Sequence, residues 1–396
     1  LNSRIYVDKT GLIEYTNSVL DTTNAYICNS RPRRFGKCYA ANMLAAYYSK
    51  GTDSEQMFSG LRISKDADFK KHLNKYDVIH IDIQWFLANC DDADKVVSFI
   101  TKSVLDELRG IYPDALPQEV VTLPDALSRV KERTGQKFVV IIDEWDVIIR
   151  DGAIIENIQD EYLNFLRGMF KGVEPTKYIQ LAYLTGILPI KKERAQSAVN
   201  NLDEFTMLQA DELAPYIGFT ENEVKGLCEK YNRDFDKVKK WYDGYLLDGY
   251  QVYNPKAVVS VMTKGRFRSY WSETGSYEVV VPLICMNYDG LKNAIIEMLS
   301  GSEVKVDTAT FKNDPAKIQN RDDVITYLIH LGYLGYNEDS ESAFVPNEEI
   351  RQELITAVRS SNWDELIAFQ QESRKLLTAT LSMDEKQVAA EIDKFH

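Results

Sequence analysis

The run Ser30-Arg31-Pro32-Arg33-Arg34-Phe35-Gly36-Lys37-Cys38 directly follows an apolar segment, Ala25–Cys28, and precedes good helix formers at Ala40, Ala41, Met43 and Leu44. An apolar strand, a tight turn and a helix opened by Gly-Lys together suit a phosphate chain. Inward backbone N–H groups cradle the oxygens, the lysine reaches the β- and γ-phosphates, and the helix dipole favours the anion. Arg33, Arg34, Phe35, Gly36, Lys37 and Cys38 are therefore expected to hold the phosphates of a nucleotide. Two departures from G-x-x-x-x-G-K-[ST] stand out: Arg31 occupies the place of the first glycine, and Cys38 that of the serine or threonine. A thiol is a poor ligand for Mg2+, which prefers oxygen. The plainer reading of the run is a basic turn capping a helix.

A second apolar run, Phe138–Ile142, ends in Asp143-Glu144. Beside a phosphate loop, an aspartate at a strand tip holds Mg2+, usually through water, and the adjacent glutamate polarises the attacking water. Asp143 and Cys38 are thus the expected metal positions. Lys37 and Glu144 are the expected catalytic residues. Thr185, at the end of the run Ile179–Leu184, joins them as a sensor of the terminal phosphate. Against this stand an acidic helix cap after a core strand for Asp143-Glu144, and a strand-ending threonine before Gly186.

These residues need a frame that brings strand ends together. Ala25–Cys28, Val78–Ile83, Phe138–Ile142 and Ile179–Leu184 read as buried strands, with helical sequence between them and a fifth short run at Phe205–Leu208. The alternation predicts an α/β fold, a P-loop parallel sheet covered on both faces. In such sheets ligands bind beyond the carboxyl ends of the strands. Val78–Ile83 falls between the loop and the Asp-Glu run, in the manner of an inserted strand. The phosphate-binding core is expected over residues 1–210. Residues 211–300 read as a helical lid, with a capping box at Thr220 and Glu223. Residues 301–360 read as a winged-helix-like unit: a helix over Asp322–Leu331, strands at Tyr333–Tyr336 and Ala343–Val345, and a helix over Glu348–Val358. Residues 361–396 read as the helical start of a further module.

The chain has 396 residues and a net charge of −13. Such an acidic protein is a poor general binder of nucleic acid. Residues 301–350 carry four basic and ten acidic side chains, 4 − 10 = −6, which favours a protein contact over DNA there. The five cysteines lack Cys-x-x-Cys spacing and the four histidines form no metal-type cluster. A zinc site is not expected from that pattern. Scattered thiols read as reduced and cytoplasmic, and no run is long enough to span a bilayer. The chain starts at Leu1 without a methionine and reads as a fragment.

Seven segments resemble the bacterial AAA-ATPase-like proteins, which often carry a PD-(D/E)XK nuclease-like domain at the C-terminus. They are Tyr6-Val7-Asp8-Lys9-Thr10, Arg31 to Lys37, Ile142-Asp143-Glu144-Trp145-Asp146, Leu184-Thr185-Gly186-Ile187-Leu188, Trp241-Tyr242-Asp243-Gly244-Tyr245, Val252-Tyr253-Asn254-Pro255 and Gly332-Tyr333-Leu334. The family's loop looks like R-P-R-R-F-G-K-[ST], so Arg31 is normal for it and Cys38 is not. The resemblance implies ATP and Mg2+ as cofactors, an ATPase core, a lid and a winged-helix-like unit. It also implies that contact with nucleic acid would come through the missing C-terminal module. The function expected is a slow Mg2+-dependent ATPase that regulates an attached effector. The alternatives are a nucleotide-binding scaffold without meaningful hydrolysis, and a DNA-binding regulator acting through the winged-helix-like region. Arg194, after the Thr185 strand, is weighed as an inter-subunit arginine finger against a solvated charged face.

Overall fold

The computed structural model describes residues 4–151, 154–190, 201–271, 277–286, 288–360 and 379–392. Arg194 lies outside them, as do residues 361–378 and 393–396, which together make up most of the expected C-terminal module. The chain divides into two compact units. The first is residues 1–223 with 247–250 and 312–317; the second is 224–246, 251–311 and 318–396.

The first unit is built on a five-stranded sheet: β1 (Tyr26–Ser30), β2 (Asp77–Asp82), β3 (Phe138–Asp143), β4 (Ile179–Gly186) and β5 (Asp203–Phe205). Its order is β2-β3-β4-β1-β5, and every pairing is parallel. β1, β3 and β4 are buried almost throughout, which is why they read as continuous apolar runs rather than alternating ones. β2 shows alternation, because it is an edge strand. The strand that separates β1 from β3 is β4. The expectation of an inserted strand was placed on Val78–Ile83; that segment lies between β1 and β3 in sequence but at the edge of the sheet in space. Right-handed crossovers let a later strand slot between earlier ones, so sequence order does not give spatial order.

Alternate residues of each strand supply the two faces. Tyr26, Cys28, Phe138, Val140, Ile142, Ala182 and Leu184 pack against three amphipathic helices, Val96–Ile111, Leu123–Thr134 and Glu156–Phe170, in one apolar core. The opposite face is covered by α2 (Lys37–Tyr48), and α1 (Gly11–Val19) packs on α2 through Thr16 and Asn17. α2 forms because Ala40, Ala41, Leu44, Tyr47 and Tyr48 recur on one side, and all five are buried. The two tyrosines carry polar ends that find partners: Tyr48 Oη donates to Asn17 Oδ1 on α1 at 2.8 Å, and Tyr47 Oη to the Phe69 carbonyl at 2.8 Å. The C-terminal end of α2 is thereby fixed.

In the second unit, Gly335–Asn337 pairs antiparallel with Ser342–Phe344, which pairs with Val304–Lys305. Helices at Arg321–Leu331 and Glu348–Ser360 flank the hairpin in sequence. The strand Val304–Lys305 and the helix Pro255–Lys264 are not among the sequence-based expectations. The helix was nevertheless signalled: Asn254 caps it with bonds from the N–H groups of Lys256 and Ala257, Pro255 opens it, and Gly265 closes it at φ +68°. The Trp241–Tyr245 segment is tied within the second unit. Tyr245 Oη donates to the Gly332 carbonyl at 2.6 Å, and Asn347 Nδ2 donates to the Asp243 carbonyl at 2.6 Å. Gly244 sits at φ +112°, where a Cβ would lie 2.1 Å from the Pro346 oxygen. Asp8 and Lys9 are engaged within the first unit. Asp8 Oδ1 accepts from the Thr10 N–H and hydroxyl, and Lys9 pairs with Glu223 at 2.6 Å.

Candidate nucleotide site

The register of the sheet places a polar row at one edge. Asp82 on β2 lies opposite Asp143 on β3, and Thr185 on β4 lies opposite Asn29 on β1. Asp143 and Thr185 each follow the paired Ile142 and Leu184, which makes them neighbours. Every strand here ends its apolar run at the same level, so the polar residues collect where the N-terminus of α2 begins.

The loop from β1 reaches that edge with two backbone turns into positive φ, Arg34 at +69° and Gly36 at +95°. Gly36 is the N-cap of α2, and a glycine adopts that left-handed conformation without the Cβ clash other residues meet. Lys37 is the first helical residue. Its side chain folds back over the loop: Nζ donates to the Pro32 carbonyl at 3.0 Å and lies 3.7 Å from Glu144 Oε1, with the residue only 4% exposed. The strands bring Lys37, Cys38, Asp143, Glu144 and Thr185 to one place, as the sequence reading required.

Details differ from the expected roles. Thr185 is fully buried and its hydroxyl donates to Asp143 Oδ1, so it orients the carboxylate and would act on a phosphate through it. Asp143 Oδ1 also accepts from the Glu144 N–H at 3.1 Å. Glu144 takes φ +53°, an uncommon conformation for a side-chain-bearing residue, which turns its carboxylate back towards the loop. That carboxylate is held by two cations, with Arg150 Nη2 at 3.0 Å from Oε2 and Lys37 near Oε1. The Phe35 side chain is buried, so a part in phosphate binding would come through its backbone. Arg33 is exposed and Arg34 half-buried, both in the loop itself. Cys38 presents an exposed residue surface, yet its thiol turns towards Asp143. Burial pushes that thiol up to about 12, and the hydrogen bond to Asp143 and the two carboxylates add to the effect. Among the described residues, ligand atoms of Cys38, Asp143 and Glu144 all lie within 4.8 Å of one another.

Two residues that sequence reasoning left without a role shape the site. Arg31, where a phosphate loop usually has glycine, is fully buried. Its Nη1 donates to the carbonyls of Ser30 at 2.9 Å, Phe205 at 3.2 Å and Thr206 at 2.9 Å. It pins the start of the loop to the end of β5 instead of facing a ligand. Asp146, also fully buried, takes the N–H groups of Ile187 and Leu188 at 3.1 and 2.8 Å, and Arg150 Nε at 2.6 Å. It therefore ties the segment after β3 to the segment after β4. Gly186 allows this contact, since a Cβ there would lie 2.6 Å from the Trp145 ring and 2.8 Å from Asp146 Oδ1. The acidic spacing Asp143-Glu144-x-Asp146 was the available signal for Asp146.

An all-parallel sheet of this order, with a Gly-Lys loop on β1 and paired carboxylates on the strand two places away, defines a P-loop nucleotide fold of the α/β class. Residues 1–195 match the model of a family described as "Predicted AAA-ATPase". The chain is 27% identical over 284 residues to an "Uncharacterized protein in vnfD 5'region" of Azotobacter chroococcum mcd 1, an alignment covering 70% of this chain. It spans about half of that relative, 52% of its length. Among solved structures it is similar to the ORC2 protein of Aeropyrum pernix in ADPNP-ADP complexes, at 13% identity and a TM-score of 0.40, covering 92% of this chain and 97% of that one. It is also similar to AMPPCP-bound DnaA from Aquifex aeolicus, at 11% identity and a TM-score of 0.31, covering 99% and 96%. Both structural likenesses are too distant to carry an inference about this chain. No helix among the described residues is long and apolar enough to cross a membrane.

Proposed function

We propose that this chain binds ATP at the edge formed by Lys37, Asp143, Glu144 and Thr185, and hydrolyses it slowly to control an attached effector module. The observation that carries the reading is the convergence of Lys37 Nζ and the N-terminus of α2 with a carboxylate pair from a separate strand. The family match of residues 1–195 supports ATP as the nucleotide. In this reading the phosphates lie over the loop, where the N–H groups at the start of α2 and the Lys37 ammonium meet them. Lys37 then exchanges the Pro32 carbonyl for phosphate oxygens. Glu144 is the base that orients and deprotonates the attacking water, and to do so it must leave Arg150 and Lys37.

Mg2+ fits this donor set poorly. Asp143 offers a hard oxygen, but the position next to Lys37 supplies a thiol where a hydroxyl would be needed. The same feature keeps alive the second reading, a nucleotide-responsive scaffold with little turnover. Residues 211–300 would serve as the lid and residues 301–360 as a winged-helix-like unit. The acidic balance of 301–350 argues for a protein partner there and against a DNA-binding regulator.

Lys37→Ala should weaken binding of a fluorescent ATP analogue by about 10- to 150-fold, the worth of charge-assisted bonds to phosphate. Circular dichroism should be unchanged, because alanine is a good helix former at the first position of α2. Equal affinity in the two proteins would remove the site assignment.

A further inference from the structure

Cys38, Asp143 and Glu144 come from the first turn of α2 and the tip of β3, and their ligand atoms lie within 4.8 Å of one another. One sulfur and two carboxylates, converging from two elements, form a mixed donor set. We infer that they make a binding site for a thiophilic divalent cation of the zinc class, in place of the Mg2+ such a loop would otherwise recruit. This deepens the proposed nucleotide site and rests on that reading for its role, though metal binding can be measured without nucleotide.

Three arguments support it. Thiolate selects borderline and soft ions, whereas Mg2+ needs near-octahedral oxygen, so a sulfur beside Lys37 inverts the usual preference. Three protein ligands with an open fourth position is the pattern of a tetrahedral site that still accepts water or a phosphate oxygen. Bonds of about 2.0–2.3 Å place tetrahedral donors roughly 3.5 Å apart, so the widest pair closes by about an ångström through side-chain rotation. The charges also match. Once the ion has displaced the Cys38 proton to solvent, three anionic donors and Lys37 give −3 + 1 = −2, while Arg150 is balanced by Asp146.

The surrounding groups are arranged as supports. The Thr185 hydroxyl and the Glu144 N–H both donate to Asp143 Oδ1, which leaves Oδ2 outside those two bonds. Such outer contacts fix the direction of a ligating carboxylate. A bound ion would also engage Glu144, so the cation is expected to hold the proposed base away from water and to lower turnover.

Titration of the full chain with Co2+, without nucleotide, tests the assignment by absorption spectroscopy. The expected result is a thiolate-to-cobalt charge-transfer band with intense tetrahedral d–d bands, saturating at one equivalent. Zn2+ should displace it and a roughly hundredfold excess of Mg2+ should not. Cys38→Ser should abolish the charge-transfer band, and a variant with Cys90→Ser and Cys285→Ser should retain it. Thr185→Val should weaken Co2+ by about 10- to 100-fold while the band keeps its position. Bands that survive in Cys38→Ser, or a wild-type spectrum without them, would overturn the inference. ATP-analogue binding in EDTA is read separately. Its loss with the cobalt bands intact sinks the nucleotide reading alone, and its presence without the bands sinks the metal site alone.

Discussion

Glu144→Gln is expected to lower ATP turnover by about 10²- to 10⁴-fold, the usual contribution of a positioned general base. The amide keeps the shape and can still accept from Arg150, but it cannot take a proton from water. Its effect on affinity has the opposite sign. In the wild-type chain Glu144 draws Lys37 to within 3.7 Å of Oε1, a competition with the phosphates. Removing that charge releases the ammonium, so ATP should bind as tightly as before or more tightly. A turnover assay with labelled ATP, paired with binding measurements on the same preparations, separates the two effects. If turnover in the glutamine variant equals the wild-type value, Glu144 is not the base and the scaffold reading gains. The Arg150 contact also predicts a slow wild-type rate, because the carboxylate must leave a 3.0 Å pair before it can act.

Asp146→Ala is expected to cost about 3–5 kcal/mol of stability, the penalty for breaking a buried ion pair from one side. Asp146 is fully buried, and its partner Arg150 has a side chain only 9% exposed. The substitution strands the Nε of Arg150 together with the N–H groups of Ile187 and Leu188. Those N–H groups lie just beyond Gly186, so the loss loosens the tie between the segments that follow β3 and β4. For a unit of this size the midpoint should fall by about 6–20 °C. Thermal unfolding followed by tryptophan fluorescence reads it, since Trp145 is buried beside the substituted residue. Asp146→Asn, which keeps an acceptor but drops the charge, should fall between the two. An alanine variant that melts with the wild type would show that the buried bonds contribute nothing. The two substitutions are distinguishable in kind, because Glu144→Gln should change chemistry with little change in melting.

Much of the proposed nucleotide site was legible in the sequence because its signals are local. Gly36 is needed where the backbone turns to φ +95°, Lys37 must open the helix, and Asp143-Glu144 must end an apolar strand. The runs over β1, β3 and β4 were visible for the same reason: strands buried on both faces must be apolar throughout, and their ends must change to polar, whereas β5 carries Asp203 and Glu204 and shares only Phe205 with the expected run Phe205–Leu208. Cys38 was visible as a departure, because residue type alone sets the hardness of a ligand.

What the tertiary structure decided was contact between distant segments. Only the packed sheet puts β4 between β1 and β3, which makes Thr185 the neighbour of both Asn29 and Asp143. The burial of Arg31 against the Phe205 and Thr206 carbonyls spans more than a hundred and seventy positions of chain. The hold of Asp146 on Ile187 and Leu188 depends on the same stacking of strand ends. Such bonds leave no periodicity or motif behind, because their partners meet only after the crossovers have closed. Residue types and spacing therefore named the groups proposed to touch a phosphate. Burial and register assigned the rest: Thr185 orients Asp143, Glu144 lies between two cations, and Cys38 stands beside two carboxylates.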